Sequence, residues 1–226
     1  MERGDHPSMK IRRPSNLILW VALGAQLVWV MPEAVEAVPI TFQTSGTVVS
    51  VDPALAGTFS VGNSLSLTYT FESTTPPRVG STAFSAVFDA LKNLSFSLNG
   101  YSAFSNGAPE IQTAVAPAGI NDRYTLVSRA SDGLTGAPVG GNALTEFRML
   151  LDHSPGTVFT NALNLPTDHV ALNTYEDKNF FILFGSPQVF GNLTDFRLVP
   201  APGTLLLLGS GLVGLIALSR RRQRRL

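Results

Sequence analysis

Each of the three histidines follows an aspartate, and the two pairs that lie beyond the predicted export signal are the first groups to consider for catalysis. Asp152 precedes His153, and Asp168 precedes His169. A metal site or a general base needs such groups to converge, whereas neighbours along a strand point to opposite faces. Both pairs also lie next to proline-containing turn sequences. The pattern therefore favours exposed loop histidines over a catalytic pair.

Acidic side chains offer a second kind of chemistry, because a glycosidase needs only two carboxyl groups at a fixed separation. Five acidic residues of the central region could contribute them: Asp89, Glu146, Asp152, Glu176 and Asp177. Their spacing pairs none of them, and the sequence has no GxSxG, HExxH or phosphate-binding glycine loop. It also has no cysteine, which excludes a thiol nucleophile, a disulfide and a thiolate zinc site. We expect a protein that is not an enzyme.

Three turn-like clusters contain the oxygen ligands that calcium prefers. They are Asn121-Asp122, Ser131-Asp132-Gly133 and Glu176-Asp177. Asp122, Asp132 and Asp177 are therefore candidate calcium ligands. Asp and Asn are also ordinary turn residues, so the alternative, a body without any cofactor, stays open.

The charge distribution argues against nucleic acid as a partner. Of the 226 residues 44% are hydrophobic and only 14% are charged, with a formal net charge of zero. Between residues 38 and 219, however, there are seven basic and twelve acidic side chains. A mildly acidic surface repels a polyphosphate backbone.

The hydrophobic pattern predicts the elements that carry these groups. Apolar and hydroxyl residues alternate over 64–71 (SLSLTYTF) and 93–98 (NLSFSL), which is the period of a strand with one wet face. Asn99-Gly100 then predicts a tight hairpin turn into YSAF. Further strand candidates are EIQTAVA, RYTLVS, EFRMLL, FFILFG and NLTDFRLV, whereas the segment 82–94 (TAFSAVFDALKNL) fits a short helix or a strand. Residues 38–198 are predicted to form an all-β domain, an antiparallel two-layer β-sandwich of jelly-roll type.

The first 37 residues have the pattern of an export signal. Three basic residues precede an apolar run from Leu17 to Met31. The small residues of PEAVEA then predict cleavage between Ala37 and Val38. At about 15 residues the run is short for a membrane span, so a cleaved signal helix is favoured over a permanent anchor.

The last 28 residues have a different composition from the rest of the chain. Prolines at positions 200 and 202 precede an apolar segment, and we predict a transmembrane helix at about 204–219. The chain then ends in a cluster of basic residues: Arg220, Arg221, Arg222, Arg224 and Arg225. Arginines rarely cross a membrane behind such a segment. They should stop transfer, which leaves the preceding domain in the periplasm.

This arrangement resembles the PEP-CTERM sorting signal, in which a Pro-X-Pro box, a short apolar segment and terminal arginines follow one another. Here residues 199–226 form the tail, and Val199 precedes the box Pro200-Ala201-Pro202, which has alanine at the position that usually holds glutamate. The resemblance implies a Gram-negative bacterium that makes exopolysaccharide. It also implies two partners, the export machinery and exosortase, a membrane enzyme that processes the tail.

Two functions are consistent with these features. The first is an exported protein, tethered to the inner membrane and then moved to the cell surface or extracellular matrix, with a structural or adhesive role in exopolysaccharide or biofilm. The alternative is a carbohydrate-binding module of the β-sandwich type. Sugar rings would stack on exposed aromatic residues, and Tyr101 and Tyr175 are the predicted platforms.

Overall fold

The computed structural model describes residues 39–107, 109–115, 121–154, 156, 158 and 160–200. These residues form twelve strands and one short α-helix, α1 (His169–Asn173), with 3-10 turns at Pro53–Leu55 and Ala130–Asp132. The strands are β1 (Pro39–Val51), β2 (Ser64–Glu72), β3 (Ser85–Phe88), β4 (Leu91–Leu98), β5 (Tyr101–Ser105), β6 (Glu110–Ala114), β7 (Asp122–Arg129), β8 (Leu134–Gly136), β9 (Glu146–His153), β10 (Asp177–Leu183), β11 (Gln188–Leu193) and β12 (Arg197–Val199). The predicted all-β antiparallel class is confirmed. The predicted signal helix and the helix at 204–219 lie outside the described residues, within which none of the helices is long and apolar enough to cross a bilayer.

The twelve strands belong to one continuous sheet. Its order is β3-β6-β7-β9-β10-β11-β1-β2-β4-β5-β8, and β12 pairs with β1 beyond the end of β11. The hydrogen bonds therefore define a single sheet, and they do not divide it into the two separate sheets of the predicted jelly roll.

The sheet curls so that its two halves face each other across the core. The ring of Phe96 on β4 stacks on that of Phe147 on β9, with 4.8 Å between centroids, although four strands separate β4 from β9. Tyr101 on β5 contacts Phe184, which follows β10, at 5.6 Å. The inward side chains of both halves thus form one core, and the curl buries them as the two layers of a sandwich would.

The strands and the turn that the local sequence pattern predicts around β2 and β4 are confirmed. The apolar residues of β2 and β4 point into the core and their hydroxyl residues point outward. Asn99 and Gly100 have φ of 48° and 82°, as the hairpin between β4 and β5 requires. The ambiguous segment 82–94 contains β3 and the beginning of β4, so it is a strand region.

The described chain enters and leaves the sheet at the same end. β1 begins at Pro39, and the antiparallel strand β12 ends with Val199 opposite Thr41. The beginning of β1 and the end of β12 therefore lie close to each other.

Candidate functional site

The two Asp-His pairs take different positions. Asp152 and His153 lie on β9, where Asp152 pairs with Arg123 at 2.7 Å on the outer face. His153 lies opposite Asp122 and is mostly buried, so its prediction as an exposed loop residue is wrong. His169 begins α1 and is only partly exposed, so it is not a loop residue as predicted. Neighbours on β9 point to opposite faces, and the structure does not assemble either pair into a catalytic site.

The three candidate calcium ligands do not converge. Asp122 begins β7, is fully buried and accepts a hydrogen bond from the Val158 backbone N–H at 2.7 Å. Asp132 lies beyond the other end of β7, and Asp177 is exposed at the start of β10. Among the described residues, no three His, Asp or Glu side chains are grouped as a metal site would require.

One network of seven charged side chains lies mainly on the outer face of β6, β7 and β9. Glu110 accepts hydrogen bonds from Arg78 at 2.9 Å and from Arg129 at 3.0 Å. Arg129 and Arg148 both contact Glu146. Arg78 also binds Asp89, which lowers the pKa of that carboxyl. Opposite charges are paired throughout, so the arrangement fits a structural network better than an acid–base pair.

All four tyrosines of the chain are core residues. Tyr101 is 9% exposed and donates its hydroxyl to the Ala137 carbonyl at 3.0 Å, and Tyr175 is 1% exposed. The prediction that these two rings form sugar platforms is therefore wrong. Tyr69 on β2 and Tyr124 on β7 are also buried, and the curl brings them together.

The buried tyrosines predict how the protein responds to alkali. Burial raises the pKa of Tyr101 from 10.0 to about 12, and burial also raises the pKa values of the other three. The folded state thus holds these protons more tightly than the unfolded chain does, so this stabilisation is complete below pH 10 and is lost as the pH rises towards 12. We expect tyrosinate absorbance to appear in one step, together with loss of near-ultraviolet circular dichroism. Ionisation of several tyrosines near pH 10, with the circular dichroism unchanged, would contradict this assignment.

The outer face of β1, β2, β4 and β5 carries aligned hydroxyl groups, and we call it the hydroxyl face. Strand register places one row across it that contains only serine: Ser45, Ser66, Ser97 and Ser102. The next row runs from β12 to β8 through Arg197, Gln43, Thr68, Ser95, Phe104 and Thr135. Within the described part of the chain, Ser66, Ser95, Ser97 and Ser102 make no side-chain hydrogen bond, so their hydroxyls face solvent.

Two shallow clefts lie on the hydroxyl face and meet at Ser66. The larger, of about 410 Å³, extends to Thr194, Asp195 and Arg197 where β11 gives way to β12. The smaller, of about 280 Å³, extends to Phe104, whose ring is 48% exposed. Sequence reasoning found the outward hydroxyls of β2 and β4 and the hairpin that pairs β4 with β5. The rows also depend on the pairings of β1, β8 and β12, which no local pattern reveals.

Asn173, which sequence reasoning missed, holds the segment that leads into the last strand, β12. The Phe196 backbone N–H donates to Asn173 Oδ1 at 2.6 Å, and Asn173 Nδ2 donates to the Phe196 carbonyl at 3.0 Å. The Asn173 amide thus pairs with Phe196 as another strand would. The Phe196 ring is buried, whereas residues 197–200 are all exposed. Val199, the last residue of β12, directly precedes the Pro-X-Pro box.

Residues 198–222 match the family described as the PEP-CTERM protein-sorting motif. The chain carries a PEP-CTERM sorting motif. The match begins in β12 and contains Val199, the predicted box Pro200-Ala201-Pro202 and three of the five arginines. No curated protein and no solved structure matches the chain.

The PEP-CTERM motif indicates which enzyme recognises the tail and that the protein is exported. PEP-CTERM signals are recognised by exosortase, a membrane enzyme, and they imply an exported protein that is processed at a membrane. Ala201, Pro202, the segment 204–219, the arginine cluster and the cleavage site at Ala37 and Val38 lie outside the described residues. Their individual roles remain predictions.

Proposed function

We propose that this protein is an exported, non-catalytic component of the cell surface or extracellular matrix, with a structural or adhesive role in exopolysaccharide. Its tail tethers the β-rich body to the periplasmic side of the inner membrane until exosortase acts. The observation that carries the proposal is the PEP-CTERM motif directly behind a folded body, since the match begins within β12.

The position of the motif supports processing after folding. Phe196 is fixed by burial and by Asn173, while Arg197 and the two residues after it are exposed on a three-residue strand. Separating β12 from β1 breaks only a short ladder and leaves the core intact. An enzyme at the membrane could therefore reach the box without unfolding the body.

The charges of the body support a non-catalytic role. The carboxylates that a glycosidase would need are already bound by arginines or lie apart. Glu146 contacts Arg129 and Arg148, Asp152 contacts Arg123, and Asp89 contacts Arg78. These arginine contacts fit a structural role for the three carboxylates better than a place in a catalytic pair.

The intact mass of the mature protein tests this proposal. We expect a species that begins at Val38 and ends near Pro202 in producing cells. In cells that lack the exosortase we expect a species that begins at Val38 and ends at Leu226, recovered with the membrane. A cytosolic protein that retains both ends would overturn the proposal.

A further inference from the structure

We propose that the hydroxyl face binds an uncharged polysaccharide chain, which lies across the strands from the Arg197 edge to Phe104. The inference rests on the proposed function, because only an exported protein meets an extracellular polysaccharide. It assigns to the body a ligand that the sorting tail does not specify.

The first argument is chemical complementarity. Each exposed serine or threonine hydroxyl both donates and accepts hydrogen bonds, as each sugar hydroxyl does. The two rows present such groups at the spacing of neighbouring strands, and four strand spacings give about 19 Å between β12 and β5. A chain of several sugar rings fits this length better than one small molecule does.

The second argument is the position of the exposed ring. Phe104 lies between Ser95 and Thr135 in its row, and it lines the smaller cleft. A sugar ring has an apolar face that packs on an aromatic side chain, while its hydroxyls reach neighbouring polar groups. Phe104 therefore takes the role that Tyr101 and Tyr175, being buried, cannot take.

The third argument is charge. Arg197 is the only charged side chain in the two rows, and it lies at the edge of the sheet. The arginines of the charged network lie on β7, β9 and the segment before β3 instead. An acidic polymer would find no cationic track across the serine row, so the face selects an uncharged chain.

Binding of the mature protein, purified from producing cells, to three polysaccharides tests the inference. The probes are a neutral β-glucan, a neutral galactomannan and the acidic polymer alginate. We expect retention on at least one neutral polymer and none on alginate. Phe104→Ala should weaken binding about tenfold, as loss of one aromatic contact predicts, and Ser66→Asp should abolish it by placing a charge where the clefts meet.

Matched substitutions elsewhere provide the controls. Phe84 is 60% exposed and lies before β3, away from the hydroxyl face. Phe84→Ala and Ser186→Asp, the latter in the turn between β10 and β11, should leave binding unchanged. All four variants change exposed residues, so their melting temperatures should equal that of the unchanged protein.

Three outcomes would overturn the inference. They are no binding to either neutral polymer, equal binding by Phe104→Ala and the unchanged protein, or preference for alginate. If the protein binds no glycan but self-associates, and Ser66→Asp disrupts that association, the hydroxyl face is instead a contact between copies of the protein. None of these results alters the mature mass, so failure of this inference is separable from failure of the proposed function.

Discussion

Deleting residues 200–226 should move the protein from the membrane fraction to the soluble exported fraction without changing the stability of its body. The deleted part contains most of the PEP-CTERM match, the predicted span and all five terminal arginines. The retained part contains Phe196, its amide partner Asn173 and the whole of β12. Fractionation of cells that lack exosortase measures the first effect, and the melting temperature of the purified protein measures the second.

A slightly longer deletion provides the contrast. Ending the chain at Asp195 removes the buried Phe196 ring and the pairing of β12 with β1. Loss of a buried phenylalanine costs about 4 kcal/mol, so this variant should unfold at a distinctly lower temperature. If the deletion after Val199 destabilises the body equally, the exit is not fixed at Phe196. If the deletion after Val199 leaves the protein in the membrane fraction, the tail is not the tether.

The strands that sequence reasoning identified are those whose alternation is uninterrupted. β2 alternates leucine, tyrosine and phenylalanine with serine and threonine over its whole length, and a single register then satisfies the core. β1 was missed because its inward positions include Thr44 and Gly46, which hide the period. Thr44 is buried, and its hydroxyl donates a hydrogen bond to the Thr194 carbonyl at 3.3 Å. The two residues are 150 positions apart, so no local pattern reveals this contact.

The candidate site was predictable only in its separate parts. The PEP-CTERM tail is a linear signal, so its residues could be named from the sequence alone. The outward hydroxyls of β2 and β4 followed from their period. The Asn99-Gly100 turn also predicted that β4 pairs with β5. The rows required in addition that β2 pair with both β1 and β4, and single-strand patterns do not encode these neighbours. Burial of Tyr101 and Tyr175 depends on the curl, which brings both halves of the sheet over them.

Two glycines next to Phe180 allow a close approach between β1, β11 and the Phe180 ring, and an added methyl group there should have a large effect on stability. A Cβ on Gly46 would lie 2.6 Å from the Asn192 carbonyl oxygen and 3.0 Å from the Phe180 ring. A Cβ on Gly191 would overlap both the Thr47 carbonyl oxygen and the same ring. A glycine inside a strand marks such a close approach. Here it lets the Phe180 ring lie flat over β1 and β11.

Gly191→Ala is therefore expected to lower the free energy of unfolding by about 3 kcal/mol, because backbone as well as a buried ring must shift. Denaturant unfolding measures the change, and the melting temperature should fall by roughly 10 °C. Gly57→Ala is the matched control, since a Cβ at that position meets no atom within 4 Å, and it should change stability by less than about 0.5 kcal/mol. Equal stability of the two variants would mean that the Thr47 carbonyl and the Phe180 ring do not approach Gly191 as closely as the structure shows.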